Sequence, residues 1–365
     1  MRVLSDPRTA AAVLRAGGLV GMPTETVYGL AADAGNLNAV GRVFAVKGRP
    51  ADHPLIVHLP QREALTDWVT EVPRPIAELI DTHWPGPLTV VLPKQSWVPP
   101  EITGGLDTVA LRVPAHPVAL ELLNALSDDL SNGRPIGVVA PSANRFGQVS
   151  PTTAAHVVAG LGGRLGPSDA VLDGGPCGVG VESTIVAMVD GRLRVLRPGA
   201  VVLPERRDQP EARDQPDRPS DSNGAPRVPG SLAAHYAPRT PVLLATAAEV
   251  KGAEVEGAEV EGAEVEGAEV EGAGDTTRAS LIAHQELTPP IGLLAPADVK
   301  TPTGWHRLAA PTDDAAYARM LYTVLRTADA SEIGTLVAVA PHDGPLRAAI
   351  VDRLTRAAAG SAARR

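Results

Sequence analysis

Short apolar runs alternate along this chain with stretches in which apolar positions recur at helical spacing. The runs at 19–22, 55–58, 88–92, 109–113, 136–140 and 183–188 are short and bounded by turn residues, so they predict buried strands. Helical patterns lie between them at 9–16, 39–46, 62–69, 118–126 and 152–161, the first ending at Gly17 and Gly18. This alternation predicts an α/β sheet with helical cover. Beyond residue 241, strands are expected at 242–245, 291–294 and 335–339, with amphipathic helices at 313–327 and 346–359. They make a smaller α/β domain with a Rossmann-like pattern, although no phosphate fingerprint accompanies it. Residues 204–226 are dense in Pro, Asp, Arg and Gln and contain RDQP twice, the composition of a solvated linker. The expected division is a first domain over 1–203, a linker over 204–240 and a second domain over 241–365. Within the last, Gly-Ala-Glu-Val-Glu occurs four times in tandem. Its period of five fits neither helix nor strand and is too short for a solenoid, so 252–273 reads as a flexible acidic insertion in a surface loop.

Composition changes this picture in three places. Hydrophobic residues make up 44% of the 365 and aromatics only 3%, so the core must be aliphatic. The formal charge of −9 argues against a polyanionic partner until its distribution is read. Through Leu203 there are 16 Lys/Arg against 18 Asp/Glu, whereas 252–271 alone holds eight glutamates and no base. Net charge therefore reports the repeat and not a binding site. Cys177 is the one cysteine, which excludes a disulfide framework and a cysteine zinc site. No run approaches the roughly 20 apolar residues of a membrane span, and 1–10 lack the apolar stretch of a signal peptide. The expectation is a cytoplasmic protein with no membrane partner.

The P-loop, the G-x-G-x-x-G turn, H-E-x-x-H and G-x-S-x-G are all absent. Four polar clusters in Gly/Pro-rich loops stand out instead: PTETVYGL at 23–30, KGRPADHPLIVH at 47–58, APSANRFGQVSPT at 140–152, and GVESTIV at 180–186 followed by LRPG at 196–199. Each alone has a plain explanation as turn, cap or helix end. Together they offer more. Lys47 and Arg49 bracket a glycine and precede a proline, which presents two cations on a stiff turn of the kind phosphoryl chemistry requires. Ser142, Asn144 and Ser150 add neutral donors. Arg112 closes a buried strand, either as a clamp for a small carboxylate or in an ion pair with an acid such as Glu25 or Glu182. Arg197 has the same two readings. His53 and His58 alternate across a strand start, so a hydrogen-bonding role suits them better than a shared metal. Cys177 reads as a small buried residue.

In this order the clusters resemble the threonylcarbamoyl-AMP synthases with a YrdC-like catalytic domain, closely over about the first 200 residues. The match includes the K-x-R and S-x-N tetrad, here Lys47, Arg49, Ser142 and Asn144. PGSLAAHYAP at 229–238 resembles the interdomain segment of the two-domain members, and LYTVLRTADA and AIVDRLTRAA resemble their C-terminal domain. The resemblance implies a YrdC-like twisted mixed sheet with helices, joined by a long linker to the smaller domain. It implies that Thr26, His58, Arg112, Ala140 and Ser183 hold L-threonine. Arg49, His53, Thr108, Ser142, Ser150 and Arg197 fall at positions around ATP, and Tyr236 at the tyrosine that closes the linker over the nucleotide as a lid. Many members carry Asn where His53 stands. The pentapeptide array and the RDQP duplication lie outside the family pattern.

The implied reaction joins L-threonine, bicarbonate or CO2 and ATP into threonylcarbamoyl-adenylate and pyrophosphate, for modification of adenosine in tRNA. Magnesium is expected to arrive on the ATP phosphates, since no carboxylate cage is visible. Downstream tRNA-modification proteins are expected as transient partners, and direct RNA binding stays open. Two rivals are an RNA-binding module and a carbamoyl-transfer enzyme of the hydrogenase-maturation kind. The first lacks an aromatic stacking platform here, and the second needs zinc fingers that one cysteine cannot supply.

Overall fold

The computed structural model describes residues 1–128, 135–203, 226–230, 234–259 and 287–363. The chain divides into two compact units, Met1–Leu232 and Ala233–Arg365. Most of the expected linker, 204–225, lies outside the described residues, as does the repeat beyond residue 259.

The first unit is built on ten strands: β1 (Arg2–Leu4), β2 (Val20–Met22), β3 (Gly29–Asp33), β4 (Ile56–His58), β5 (Leu88–Pro93), β6 (Thr108–Arg112), β7 (Val138–Val139), β8 (Ala170–Leu172), β9 (Thr184–Val189) and β10 (Arg192–Arg197). Their order is β1-β8-β2-β3-β7-β4-β6-β5-β9-β10. The sheet is mixed: β1–β8, β2–β8, β4–β6 and β5–β9 are parallel, and the other neighbours antiparallel. Its helices are α1 (Pro7–Arg15), α2 (Leu37–Lys47), α3 (Arg74–His83), α4 (Pro100–Thr103), α5 (Pro117–Asp128) and α6 (Ala154–Leu161). Strand alternation divides the core between the two faces. Leu30, Ala32 and Val139 join Val43, Phe44, Trp68 and Leu111 on one face. Ala31, Val138 and Ala140 join Leu14 of α1 and Leu122 and Leu126 of α5 on the other. Because both faces are covered, central strands such as β2 and β5 read as largely apolar runs.

Local chemistry sets the helix ends that matter for the site. Asn36 caps α2 by accepting from Ala39 N at 3.1 Å. The helix stops at Gly48, whose φ of 62° lies in the left-handed region that glycine enters without a Cβ clash. Lys47 thus closes the helix and Arg49 leaves it in a new direction.

The second unit contains β11 (Val242–Ala245), α7 (Ala247–Glu259), β12 (Ile291–Leu294), β13 (His306–Ala309), α8 (Asp314–Ala330), β14 (Thr335–Val339) and α9 (Arg347–Ala362). Its sheet is parallel throughout, in the order β11-β14-β12-β13.

Two elements add detail to the pattern. Residues 62–69 form a 3-10 helix, Arg62–Asp67, instead of an α-helix. The segment buries only Leu65 before Trp68, too narrow an apolar stripe to dock a full helix. The start of the pentapeptide array is helical, since α7 runs through residue 259. Thr246 and Glu249 explain its start: Thr246 N donates to Glu249 Oε2 at 2.7 Å and Glu249 N donates back to Thr246 Oγ1 at 3.2 Å, a reciprocal cap. Ala and Glu then sustain the helix despite the glycines.

Candidate active site

The strand ends gather polar groups in an otherwise apolar unit. β4 and β6 run parallel in a register that sets His58 beside Arg112 at their last residues. β5 and β9 run parallel from Leu88 and Thr184, so Ser183 meets Thr89, their hydroxyls 2.7 Å apart. All four side chains are buried, Arg112 at 3% exposure and His58 at 3%.

Arg112 is fixed by two hydrogen bonds. Its Nε donates to Gly86 O at 3.1 Å and its Nη1 to Thr26 Oγ1 at 2.9 Å. Proton positions in the neighbouring turn then follow. Thr24 donates its hydroxyl to Val27 O at 2.6 Å, so at the 2.9 Å contact between the two threonines it must accept from Thr26. Glu25 lies against Arg112, with Oε1 2.5 Å from Nη2, an ion pair between the two. Burial, then the nearby Arg112 charge, lowers the His58 pKa to about 3, so its imidazole is neutral near pH 7.

Arg197 grips the other side. It donates to Ser183 O from Nε at 3.2 Å and from Nη2 at 2.8 Å, to Ser183 Oγ at 3.1 Å, and to Pro229 O at 2.9 Å. Gly199 allows this loop to lie so close, because a Cβ there would fall 2.3 Å from Thr184 N. Beside it, Ser150 donates to Glu182 Oε1 at 2.7 Å.

The K-x-R and S-x-N residues form a second cluster. Lys47 Nζ donates to the carbonyls of Ser142 and Asn144, the latter at 2.7 Å, and Phe146 N returns a bond to Lys47 O at 2.8 Å. Burial and then the Arg49 charge hold the Lys47 pKa well below its usual value. Asn144 donates to Arg145 O at 2.7 Å and Gln148 O at 2.8 Å, closing the loop on itself. Arg49 donates to Pro54 O at 2.9 Å and lies 5.8 Å from the centre of the Phe146 ring, which His53 meets edge-on at 5.3 Å. Ala140 donates its N–H to Ile56 O at 3.1 Å, and its Cβ approaches Gly29 so closely that a side chain there would meet it at 2.9 Å.

Thr108 stands apart from the Arg112 cluster within the first unit. It begins β6 and so lies a strand's length from Arg112, roughly 13 Å at about 3.3 Å per residue. Tyr236 belongs to the second unit, with φ 58°, its ring 5.7 Å from that of Tyr322 and 5.1 Å from the Arg353 guanidinium. Cys177 is buried and its thiol is pushed up to about 12 by burial, which leaves it protonated and unsuited to nucleophilic attack. Sequence reasoning named Glu25 only as a possible pair for Arg112 and did not single out Thr89. The signal for Thr89 was a hydroxyl within the apolar run LTVVL.

The family model Sua5/YciO/YrdC, described as "Telomere recombination", matches residues 12–199. A second model, "Threonylcarbamoyl-AMP synthase, C-terminal domain", matches 194–359. The chain belongs to the threonylcarbamoyl-AMP synthase family. Among its relatives, a threonylcarbamoyl-AMP synthase of Pyrococcus abyssi is 44% identical over 244 residues, 65% of this chain and 67% of the relative. One of Bacillus subtilis is 42% identical over 244 residues, 66% and 67% respectively. The crystal structure of P. abyssi Sua5 complexed with L-threonine superposes with a TM-score of 0.74 at 29% identity, covering 99% of this chain and 98% of that one. This likeness extends across both family segments.

Proposed function

We propose that this family member condenses L-threonine, bicarbonate or CO2 and ATP into threonylcarbamoyl-adenylate, releasing pyrophosphate. The observation that carries the reading is the buried cluster around Arg112. There a guanidinium, two threonine hydroxyls, the Ser183 hydroxyl and a neutral His58 gather at strand ends. This suits a small polar amino acid, with Arg112 as the partner of its carboxylate and Thr26 and Ser183 near its hydroxyl.

The reaction needs no covalent enzyme intermediate. The threonine amine adds to CO2 with loss of a proton, or to bicarbonate with loss of water, and a carbamate oxygen then displaces pyrophosphate from the α-phosphate of ATP. Positioning and charge stabilisation supply the acceleration. Arg49, with Ser142, Asn144 and His53, is assigned to the phosphates, and Arg197, Ser150 and Thr108 to the rest of the nucleotide. Lys47 contributes indirectly, by holding the carbonyls of Ser142 and Asn144. Magnesium enters as part of the ATP substrate.

The test is pyrophosphate release by the purified protein with MgATP, omitting L-threonine and bicarbonate in turn. Release that needs both, and falls at least 100-fold in Arg49→Ala and Arg112→Ala, supports the reading. Release indifferent to threonine would overturn it.

A further inference from the structure

The Arg112–Glu25 contact is incomplete as an ion pair. The nitrogen and oxygen are 2.5 Å apart, yet their alignment makes no hydrogen bond. Both oxygens of Glu25 and the Nη2 of Arg112 are buried atoms with no hydrogen-bond partner. The Arg112 side chain is 4% exposed and that of Glu25 13%. Groups of this kind are costly when left unsatisfied, and proteins of ordinary packing avoid them. A paired guanidinium and carboxylate serving structure alone would be expected to meet fork to fork, with two parallel bonds.

Donor arithmetic shows what is missing. Arg112 has five N–H donors, of which Nε serves Gly86 O and Nη1 serves Thr26 Oγ1. Nη2 carries two more, and its one close acceptor, Glu25 Oε1 at 2.5 Å, makes no hydrogen bond with it. Glu25 can only accept when ionised, and neither of its oxygens has a hydrogen-bond partner, although Oε1 lies against Arg112 Nη2. The ligand that completes this pair presents a carboxylate and a cationic donor a short distance apart, which is the α-amino acid zwitterion. Charge agrees: the pair is neutral, the zwitterion is neutral, and opposite signs face each other in both places. His58, being neutral, adds no second cation beside Arg112. His116 also feels the Glu25 charge, but burial outweighs it and lowers the His116 pKa.

The geometry points to Glu25 as the residue that binds the substrate ammonium, and so as the determinant that restricts the site to amino acids with a free α-amine. This rests on the synthase reading and extends it to the amine. It places the nitrogen that must take up CO2 against a fixed carboxylate, between the Pro23-Thr24-Glu25-Thr26 turn and the end of β6.

The experiment is calorimetric titration of the full-length protein with L-threonine and with (R)-3-hydroxybutyrate, which keeps the carboxylate and hydroxyl and lacks the amine. The expected result is that wild type prefers L-threonine by tenfold or more. Glu25→Gln weakens L-threonine at least tenfold and leaves 3-hydroxybutyrate unchanged or tighter, because the carboxylate repulsion is gone. Glu25→Asp restores part of the preference. If Glu25→Gln weakens both ligands alike, Glu25 only braces Arg112 and the assignment is wrong. Unchanged threonine affinity in Glu25→Gln overturns it as well. Failure of wild type to bind L-threonine at all would instead sink the synthase reading, and the assignment with it.

Discussion

Lys47 directs its ammonium inward, to the carbonyls of Ser142 and Asn144, and so fastens the loop that carries two other members of its tetrad. Under the proposed function its contribution to nucleotide binding is positional. Lys47→Met is expected to raise the KM for ATP tenfold or more while L-threonine affinity, read by calorimetry, stays within about twofold. His58 has a consequence for pH. Its folded pKa of about 3 lies below the 6.5 of an unperturbed imidazole, so between those values the unfolded chain binds more protons than the folded one. Stability is complete above pH 6.5 and falls as pH drops toward 3, by at most about 1.4 kcal/mol per pH unit for one proton. Urea midpoints measured from pH 7 to 4 should show this slope, and His58→Gln should flatten it. A variant with the wild-type slope would contradict the assignment.

Elements differ in how clearly they announce themselves. The runs behind β4, β5, β6 and β9 are legible because both sheet faces are covered and few polar residues, such as Thr89 and Arg112, interrupt the pattern. β3, Gly29–Asp33, is not: its glycine and alanines have low strand propensity, and its extension comes from pairing with β2 on one side and β7 on the other. The site shows the same division. Lys47, Arg49, Ser142 and Asn144 are visible as polar residues in stiff loops, but the direction of Lys47 is decided by carbonyls far along the chain. The reciprocal cap at α7 is readable in Thr246-x-x-Glu249, whereas the period of five that follows it matches no helical spacing. Two substitutions test element-level packing. Gly199→Ala pushes a methyl into Thr184 N and should cost about 1–3 kcal/mol in denaturant unfolding, with a raised KM for both substrates as Arg197 shifts from Ser183. Thr246→Ala should cost about 1 kcal/mol and leave the first unit's activity untouched.

Each of the two units has its own sheet and its own apolar cluster, and every candidate residue except Tyr236 lies in the first. A fragment of residues 1–232 is therefore expected to unfold cooperatively and to bind L-threonine within about threefold of the full chain. Non-cooperative melting, or lost binding, would show that the first unit depends on the second.

The order of the large sheet carries a further consequence for the life of the chain before it is a protein. Arg2 pairs with Ala170, and β8 also supplies the parallel neighbour of β2. A ribosome adding about 5–20 residues per second needs on the order of ten seconds or more to reach Leu172. For that interval β1 has been made and has no edge to join, and Val3, exposed even in the finished fold, is open to any other strand. Nascent chains should thus gain protease resistance late and abruptly, once β8 has left the exit tunnel.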